Sequence, residues 1–379
     1  MMPTIWHCKN RKGVCKVREI TLGSLFDGIG VFPLAARNVG IKTVWTSEID
    51  KNAISISKRH FPDVEHLGDI TKLKARDIEP VDIITFGSPC QNFSTVGDLT
   101  GLSGEKSSLF YQAIRLIREM RCVTNGSYPT FAIWENVMGA FVSGDRLDFR
   151  AVLESFSSTK IPMPTLKWAN AGMVRGREFE LCWRVLDAQY FGEPKLLQRR
   201  KRIFIVCDFR GFRSHKILYK PEDLLKDFKT IGNIEDKDTK SDRRDSDKTG
   251  REIPNIRPFQ DRKMRGGAKR RNETLFRNSF GKPNEPFPTL LASNPTMFAY
   301  WIDGKEEEGF IRYLTPIECE RLMGLPDNYT KYGEDGKIIL DSARYKALGN
   351  AIALPCVEYI MAGIKEELLT SAQNEQKLE

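Results

Sequence analysis

Cys90 and Glu135 are the two residues whose types and settings could make and break bonds. Cys90 follows Pro89 in "FGSPCQNFSTVG" (86–97), where an apolar run ends and a polar, glycine-dotted stretch begins. Glu135 closes a second apolar run, "PTFAIWEN". If those runs are neighbouring parallel strands, their tips place a thiol beside a carboxyl. Such a pair suits attack on an electron-poor heterocycle. The thiolate adds to the ring, and the acid protonates or holds the ring nitrogen that receives the electron density. A free thiol titrates near pH ~8.5, so it needs cationic company to ionise at neutral pH. Arg200 and Arg202 in "QRRKRIFIV" supply it if their strand starts beside the site. Packing is the competing reading of any single cysteine, and residue types alone leave both open.

The other cysteines do not pair into a pattern. Cys8, Cys15, Cys122, Cys182, Cys207, Cys319 and Cys356 stand singly, with no CxxC spacing. Zinc-ribbon chemistry and a disulfide framework are therefore not indicated. His7, Cys8 and Cys15 lie close together in "HCKNRKGVC", but the stretch reads better as a basic arm before the first strand. No metal is expected.

A ligand signal lies near the start. "FDGIG" follows a strand candidate and opens a helix candidate, but the dinucleotide fingerprint is incomplete. Gly28 and Gly30 fit, and Pro33 occupies the third position. Glu48, 18 residues beyond Gly30, ends the next strand and can accept from both hydroxyls of a ribose. Asp69 in "GDI" follows the next helix and can accept from an adenine amino group. Loop and acids together point to an adenosine-containing ligand. A tight turn with two surface carboxylates is the alternative.

The elements that must position these residues alternate. "ITLGSLF", "KTVWTSEI", "VDIITF" and "PTFAIWEN" read as strands, and "VFPLAARNVG", "KNAISISKRHF" and "SSLFYQAIRLIREM" as helices. Alternation of this kind predicts an α/β fold, with a mostly parallel sheet covered on both faces and ligands at the strands' carboxyl ends. Near residue 210 the alternation stops, and a basic, loop-rich stretch to about 310 reads as a second, smaller domain. "EDKDTKSDRRDSDKTG" (235–250) reads as a linker, and "RYKALGNAIALPCVEYIMAGI" as a helix returning to the first domain.

Bulk composition is that of a soluble globular chain, with 40% hydrophobic and 29% charged residues among 379. No run is long and apolar enough to span a membrane. The first residues lack a signal-peptide core, so an intracellular, cytoplasmic protein is expected. The net charge of +9 points to a polyanionic partner. Its excess gathers in "RPFQDRKMRGGAKRR" (257–271), with seven basic residues and one acidic.

Taken in order, "FDGIG", "EID", "GDI", "GSPCQNFS", "SSLF", "WENV", "QRRKR", "RYLTPIECERLMGLPDNY" and "YKALGNAIALP" resemble the C5-cytosine DNA methyltransferases over most of the chain. The resemblance implies a Rossmann-like S-adenosylmethionine-dependent methyltransferase fold. It implies a catalytic and cofactor-binding domain over 1–209, a target-recognition domain over 210–338 and a C-terminal helix returning over 339–379. Phe26, Asp27, Gly28, Ile29 and Gly30 would form the loop under S-adenosyl-L-methionine, which leaves as S-adenosyl-L-homocysteine. Glu48 would hold its ribose, with Ile49, Asp69 and Ile70 at its adenine. Pro89, Leu109, Asn350 and Ala351 would complete the pocket.

Cys90 is the implied nucleophile, adding to C6 of cytosine so that C5 can take a methyl group. Glu135 would bind N3 and the exocyclic amine, and Asn136 would brace the loop carrying Cys90. Arg202 would contact the base and organise Glu135, with Arg200 and Gln198 in support. Gln91 and Ser94 would meet DNA in a loop that closes over it. Arg262, Lys263, Arg265, Lys269, Arg270 and Arg271 would hold phosphates, and Thr289 would position the recognition region. The implied partner is double-stranded DNA, met by a monomer, with either a cognate restriction endonuclease acting separately or none, the enzyme working alone. The alternatives are a tRNA cytosine-5 methyltransferase and a catalytically inactive DNA-binding relative. The sequence departs from the family's pattern at Val31, where a third glycine is usual, and at Ala351, where serine is commoner. About three extra residues also precede Gln198. Val31 would crowd the methionine end of the cofactor or shift the turn.

Overall fold

The computed structural model describes residues 19–88, 108–220, 255–263, 276–280, 286–292, 297–302 and 305–378. Within them the apolar runs form strands buried on both faces, as strands of a covered sheet must be. β1 (Thr21–Leu25), β2 (Lys42–Ser47), β3 (Glu65–His66), β4 (Ile83–Phe86) and β5 (Phe131–Val137) pair in parallel. β6 (Ala171–Arg175), β7 (Glu180–Asp187) and β8 (Lys201–Asp208) continue the sheet antiparallel. The order is β3-β2-β1-β4-β5-β8-β7-β6. Chain direction across it reverses its winding between β1 and β4, the place where an open α/β sheet makes a ligand crevice.

Side-chain alternation divides the core in two. Along β5, Phe131 and Ile133 enter one cluster, and Ala132 and Trp134 the other. β8 does the same with Phe204 and Val206 against Ile203, Ile205 and Cys207. The first cluster is covered by α1 (Val31–Asn38), α2 (Lys51–His60) and the long α8 (Leu354–Leu378), the second by α3 (Ser108–Val123) and α4 (Leu147–Ser157). Val31 is buried in the first cluster, so its side chain packs into the core rather than over the loop before it.

Two stretches expected within the 210–338 unit pack elsewhere. α5 (Ser214–Leu218) puts Ile217 and Leu218 into the α1/α8 cluster. So do Leu314, Met323, Leu325 and Tyr329, around α6 (Pro316–Leu322). Thr315 and Glu318 start α6 with a reciprocal capping box, and Pro316 sits at its first position. Between those stretches lies a separate antiparallel sheet in the order β10-β9-β11-β12. It comprises β9 (Asn255–Lys263), β10 (Phe276–Phe280), β11 (Met297–Ile302) and β12 (Lys305–Tyr313). α7 (Asp341–Asn350) then leads through Ala351–Ala353 into α8. Among the described residues no single helix is long and apolar enough to cross a membrane.

Candidate active site

The loop after β1 is bent by three left-handed residues, Phe26, Gly28 and Gly30, at φ of 52°, 58° and 81°. Glycine is required at the last of these. A Cβ on Gly30 would come within 2.9 Å of the Phe61 ring, in a backbone region that other residues seldom adopt. A Cβ on Gly28 would meet nothing within 4 Å, so this part of the loop faces open space. Glu48, at the tip of β2, ties the loop down. One carboxylate oxygen accepts from the Gly28 amide at 2.8 Å, the other from the Ile49 and Asp50 amides at 2.7 and 2.9 Å. Ile49 beside it is 71% exposed, an aliphatic side chain with its face uncovered. Asp69 accepts from the amide and hydroxyl of Thr71, and those bonds hold its carboxyl below the ordinary range. Ile70 is buried behind it, and Leu109 is half-buried at the start of α3.

Asp27 does not share that open side. Its carboxyl turns under the loop and accepts from Ser24 at 2.6 Å and Ser57 at 3.3 Å. Burial pushes it up to about 7, with the charge of Glu48 adding and the serine hydroxyls opposing. Expected among the cofactor contacts, it is buried beneath the loop rather than on its open side.

The second half of the site lies on β4, β5 and β8. Antiparallel pairing sets Arg202, at the start of β8, opposite Val137 at the end of β5. Arg202 Nε reaches Glu135 Oε1 at 3.1 Å. Burial raises the Glu135 carboxyl above its ordinary value, against the pull of Arg202 and Arg200. Gly87 makes the room, since a Cβ there would stand 3.2 Å from Glu135 Oε2. Ser88 next to it is held twice. Its hydroxyl accepts from the Trp134 indole at 3.1 Å, and its carbonyl from Asn136 Nδ2 at 3.2 Å. The end of β4 is thus fastened to both neighbours of Glu135, two residues before Cys90.

Gln198 and Arg200 share a face with Arg202, as alternate residues of an extended chain do, but they are swallowed by packing. The Arg200 guanidinium donates to the carbonyls of Leu290 (3.1 Å), Gly349 (2.9 Å) and Ala351. Burial pulls its pKa down to about 9. Gln198 donates to the Leu322 carbonyl at 2.9 Å and accepts from the Leu290 amide at 3.2 Å. Thr289 donates to the Arg199 carbonyl at 2.7 Å. These three residues seam 286–292 and the Gly349–Ala351 turn to the start of β8. The seam is tight, because a Cβ on Gly349 would fall 2.2 Å from the Ala292 amide nitrogen. Asn350 projects from that turn, exposed, and Ala351 is buried. Arg200, expected as a catalytic residue, has its guanidinium committed to the carbonyls of Leu290, Gly349 and Ala351.

Pro89, Cys90, Gln91, Ser94, Arg265, Lys269, Arg270 and Arg271 lie outside the described residues. Arg262 and Lys263 end β9, opposite Arg277 and Phe276 in register. The described cysteines of the interior are packing. Burial pushes Cys182 and Cys319 up to about 12, and raises Cys207 and Cys356 as well. Sequence reasoning missed Ser88 and Trp134, whose contact needs the β4–β5 register; the Trp-Glu-Asn run at a strand end was the available signal.

The chain is similar to known proteins over most of its length. Type II methyltransferase M.HhaI of Haemophilus parahaemolyticus is 28% identical, over 91% of this chain and 94% of its own. Type II methyltransferase M.BsuFI of Bacillus subtilis is 27% identical, over 95% and 75%. A protein of Escherichia phage P1 named a DNA N-6-adenine-methyltransferase is 25% identical over 91% of this chain, which spans 61% of that protein's length. The crystal structure of the Schizosaccharomyces pombe (S. pombe) Dnmt2 methyltransferase superposes with a TM-score of 0.56 at 16% identity, over 92% of this chain and 99% of that one. The model of the C-5 cytosine-specific DNA methylases matches residues 20–366, and with nearly the whole described chain inside that match, the chain belongs to the C-5 cytosine-specific DNA methylase family.

Proposed function

We propose that the chain methylates C5 of a cytosine in a specific sequence of duplex DNA, through a covalent bond between Cys90 and C6 of the base. The observation that supports it is the buried Glu135–Arg202 pair at the tip of β5, with Ser88 fastened to the residues on either side of Glu135. A target base inside a duplex is out of reach, so it must be swung out at a cost of a few kcal/mol, on the order of one lost stacking step.

S-adenosylmethionine is the methyl donor of the family, and the residues around the β1 loop fit it. The open side of Gly28 and the uncovered face of Ile49 suit an adenosine. Glu48 and Asp69 are acceptors for its hydroxyls and amine. Leu109, Asn350 and Ala351 border the same end of the sheet. When bound, the cofactor supplies an electrophilic methyl group and leaves as S-adenosylhomocysteine. The chain's own residues do the rest. The Cys90 thiolate bonds to C6, and the C5=C6 electrons move through C4 toward N3. Burial keeps Glu135 protonated to higher pH, so its acid proton meets N3 while its other oxygen accepts from the exocyclic amine. Arg202 fixes the carboxyl's orientation. Once C5 carries the methyl group, loss of its proton to solvent restores the C5=C6 double bond and expels the Cys90 thiolate, and the N3 proton returns to Glu135.

We place the protein in the cytoplasm, acting as a monomer, with a restriction endonuclease as a separate partner. Incubation with the methyl donor and mixed-sequence duplex containing 5-fluorocytosine tests the reading. The expected result is a denaturant-stable protein–DNA adduct that Cys90→Ser abolishes, with 5-methylcytosine as the product from ordinary DNA. Methyl transfer retained by Cys90→Ser, N6-methyladenine as product, or activity on tRNA alone would overturn it.

A further inference from the structure

Beneath the β1 loop stands a residue from the far end of the chain. The Tyr329 hydroxyl donates to the Ile29 carbonyl at 2.9 Å and lies 3.4 Å from that of Gly30. The side chain is 2% exposed. Everything else about it is fixed. Its ring stacks on His60 of α2 at 3.9 Å between centroids and 1° between planes. Its own carbonyl accepts from His60 Nε2 at 2.7 Å. On either side, the Asn328 and Thr330 amides donate to the buried Glu320 carboxylate at 2.7 and 2.8 Å. Arg344 is ion-paired with that carboxylate at 3.0 Å. The loop above is held from one side by Glu48, which accepts from the Gly28 amide. From below, Pro33 stands where the helix would offer the Ile29 carbonyl an N–H and has none to give, so the Tyr329 hydroxyl is the donor that fixes that carbonyl.

We propose that Tyr329 is a positioning residue for cofactor binding, its hydroxyl setting the height and curvature of the Phe26–Gly30 loop from below. The proposal rests on the reading of that loop as the S-adenosylmethionine site. Tyr329→Phe keeps the ring, the stack and the packing and removes one hydroxyl. Losing it leaves a buried carbonyl without its donor, which the loop relieves only by moving. The expected result is a roughly 10-fold rise in the KM for S-adenosylmethionine and in the Kd for S-adenosylhomocysteine measured by calorimetry without DNA. The kcat at saturating cofactor and the KM for DNA stay unchanged. Hydrogen exchange of residues 26–34 accelerates while that of β5 does not. A variant that melts lower but keeps wild-type cofactor affinity and loop exchange overturns the proposal, since a merely structural tyrosine would behave so. If wild-type protein fails to bind S-adenosylhomocysteine, the cofactor reading fails, and unchanged loop exchange in Tyr329→Phe would then remove this inference separately.

Discussion

The Asp27 carboxyl lies in the loop after β1, between Phe26 and Gly28, and is turned down onto Ser24 and Ser57. That orientation has a pH consequence. In the unfolded chain the carboxyl ionises near an ordinary aspartate's 3.8, whereas in the fold burial pushes it up to about 7. Between those values the folded protein holds a proton that the unfolded chain has released. The stability from this group is therefore full below about pH 4, falls as pH rises toward 7 and is gone above it. Between 3.8 and about 7 the span is about 4 kcal/mol, at about 1.4 kcal/mol for each tenfold change in proton affinity. Asp27→Asn should flatten this dependence. Melting temperature measured from pH 4.5 to 8 is expected to fall in wild type relative to the variant; parallel curves would show that Asp27 does not titrate there. Glu135 was legible because it ends a strand of the parallel half, where direction alone predicts the neighbourhood; Arg202 was legible only on the condition that its strand starts beside the site. Ser57 and Ser88 were not, because a serine in a helix or after a strand carries no mark of the partner it will find.

At the scale of elements, the parallel half of the sheet followed from the βα alternation, and the site's place at its carboxyl edge followed with it. The antiparallel half did not. The strand "RKRIFIV" is apolar in either direction, and only the pairing of β8 with β5 shows that its beginning meets Glu135. Gln198, Arg200 and Arg202 alternate along the chain, but nothing in the sequence says that two of them are covered by 286–292 and the Gly349–Ala351 turn. Coverage is a tertiary event between segments 90 to 150 residues apart, visible in no local pattern. The planar fork of Arg200 bonds three carbonyls at once, a geometry lysine cannot reproduce. Arg200→Lys is expected to cost about 1–3 kcal/mol by leaving buried carbonyls unpaired. It should also loosen the turn that carries Asn350, and so weaken S-adenosylhomocysteine binding severalfold. Denaturant unfolding alongside calorimetry would check both effects. Loss of stability with unchanged cofactor affinity would separate the brace from the pocket.

For the whole molecule, charge decides what the fold is for. A surplus of nine positive charges is unevenly spread, and residues 257–271 hold seven basic side chains against one acidic. A flanking segment of this kind has two possible roles on DNA. It can neutralise phosphates, which adds affinity without sequence preference and releases counterions, or it can meet base edges, which sets the sequence. The two leave different traces. Each phosphate contact contributes about 0.9 to the slope of log K against log salt concentration. Removing two charges by Arg270→Gln and Arg271→Gln together should therefore flatten the slope by about 2. Affinity at low salt should fall by a similar factor for every sequence, with the methylated motif unchanged. Binding titrated from 50 to 300 mM salt, and methylation mapped on genomic DNA from expressing cells, would read both traces. An unchanged slope would make the segment a solvated surface, and a relaxed motif at constant slope would move these arginines from the backbone to the bases. Glu135 and Arg202 touch neither trace, since they meet each other at 3.1 Å at the sheet's edge, with 11% and 13% of their side chains exposed. Recognition and chemistry should thus be separable, with the double variant at saturating DNA and low salt methylating at the wild-type rate.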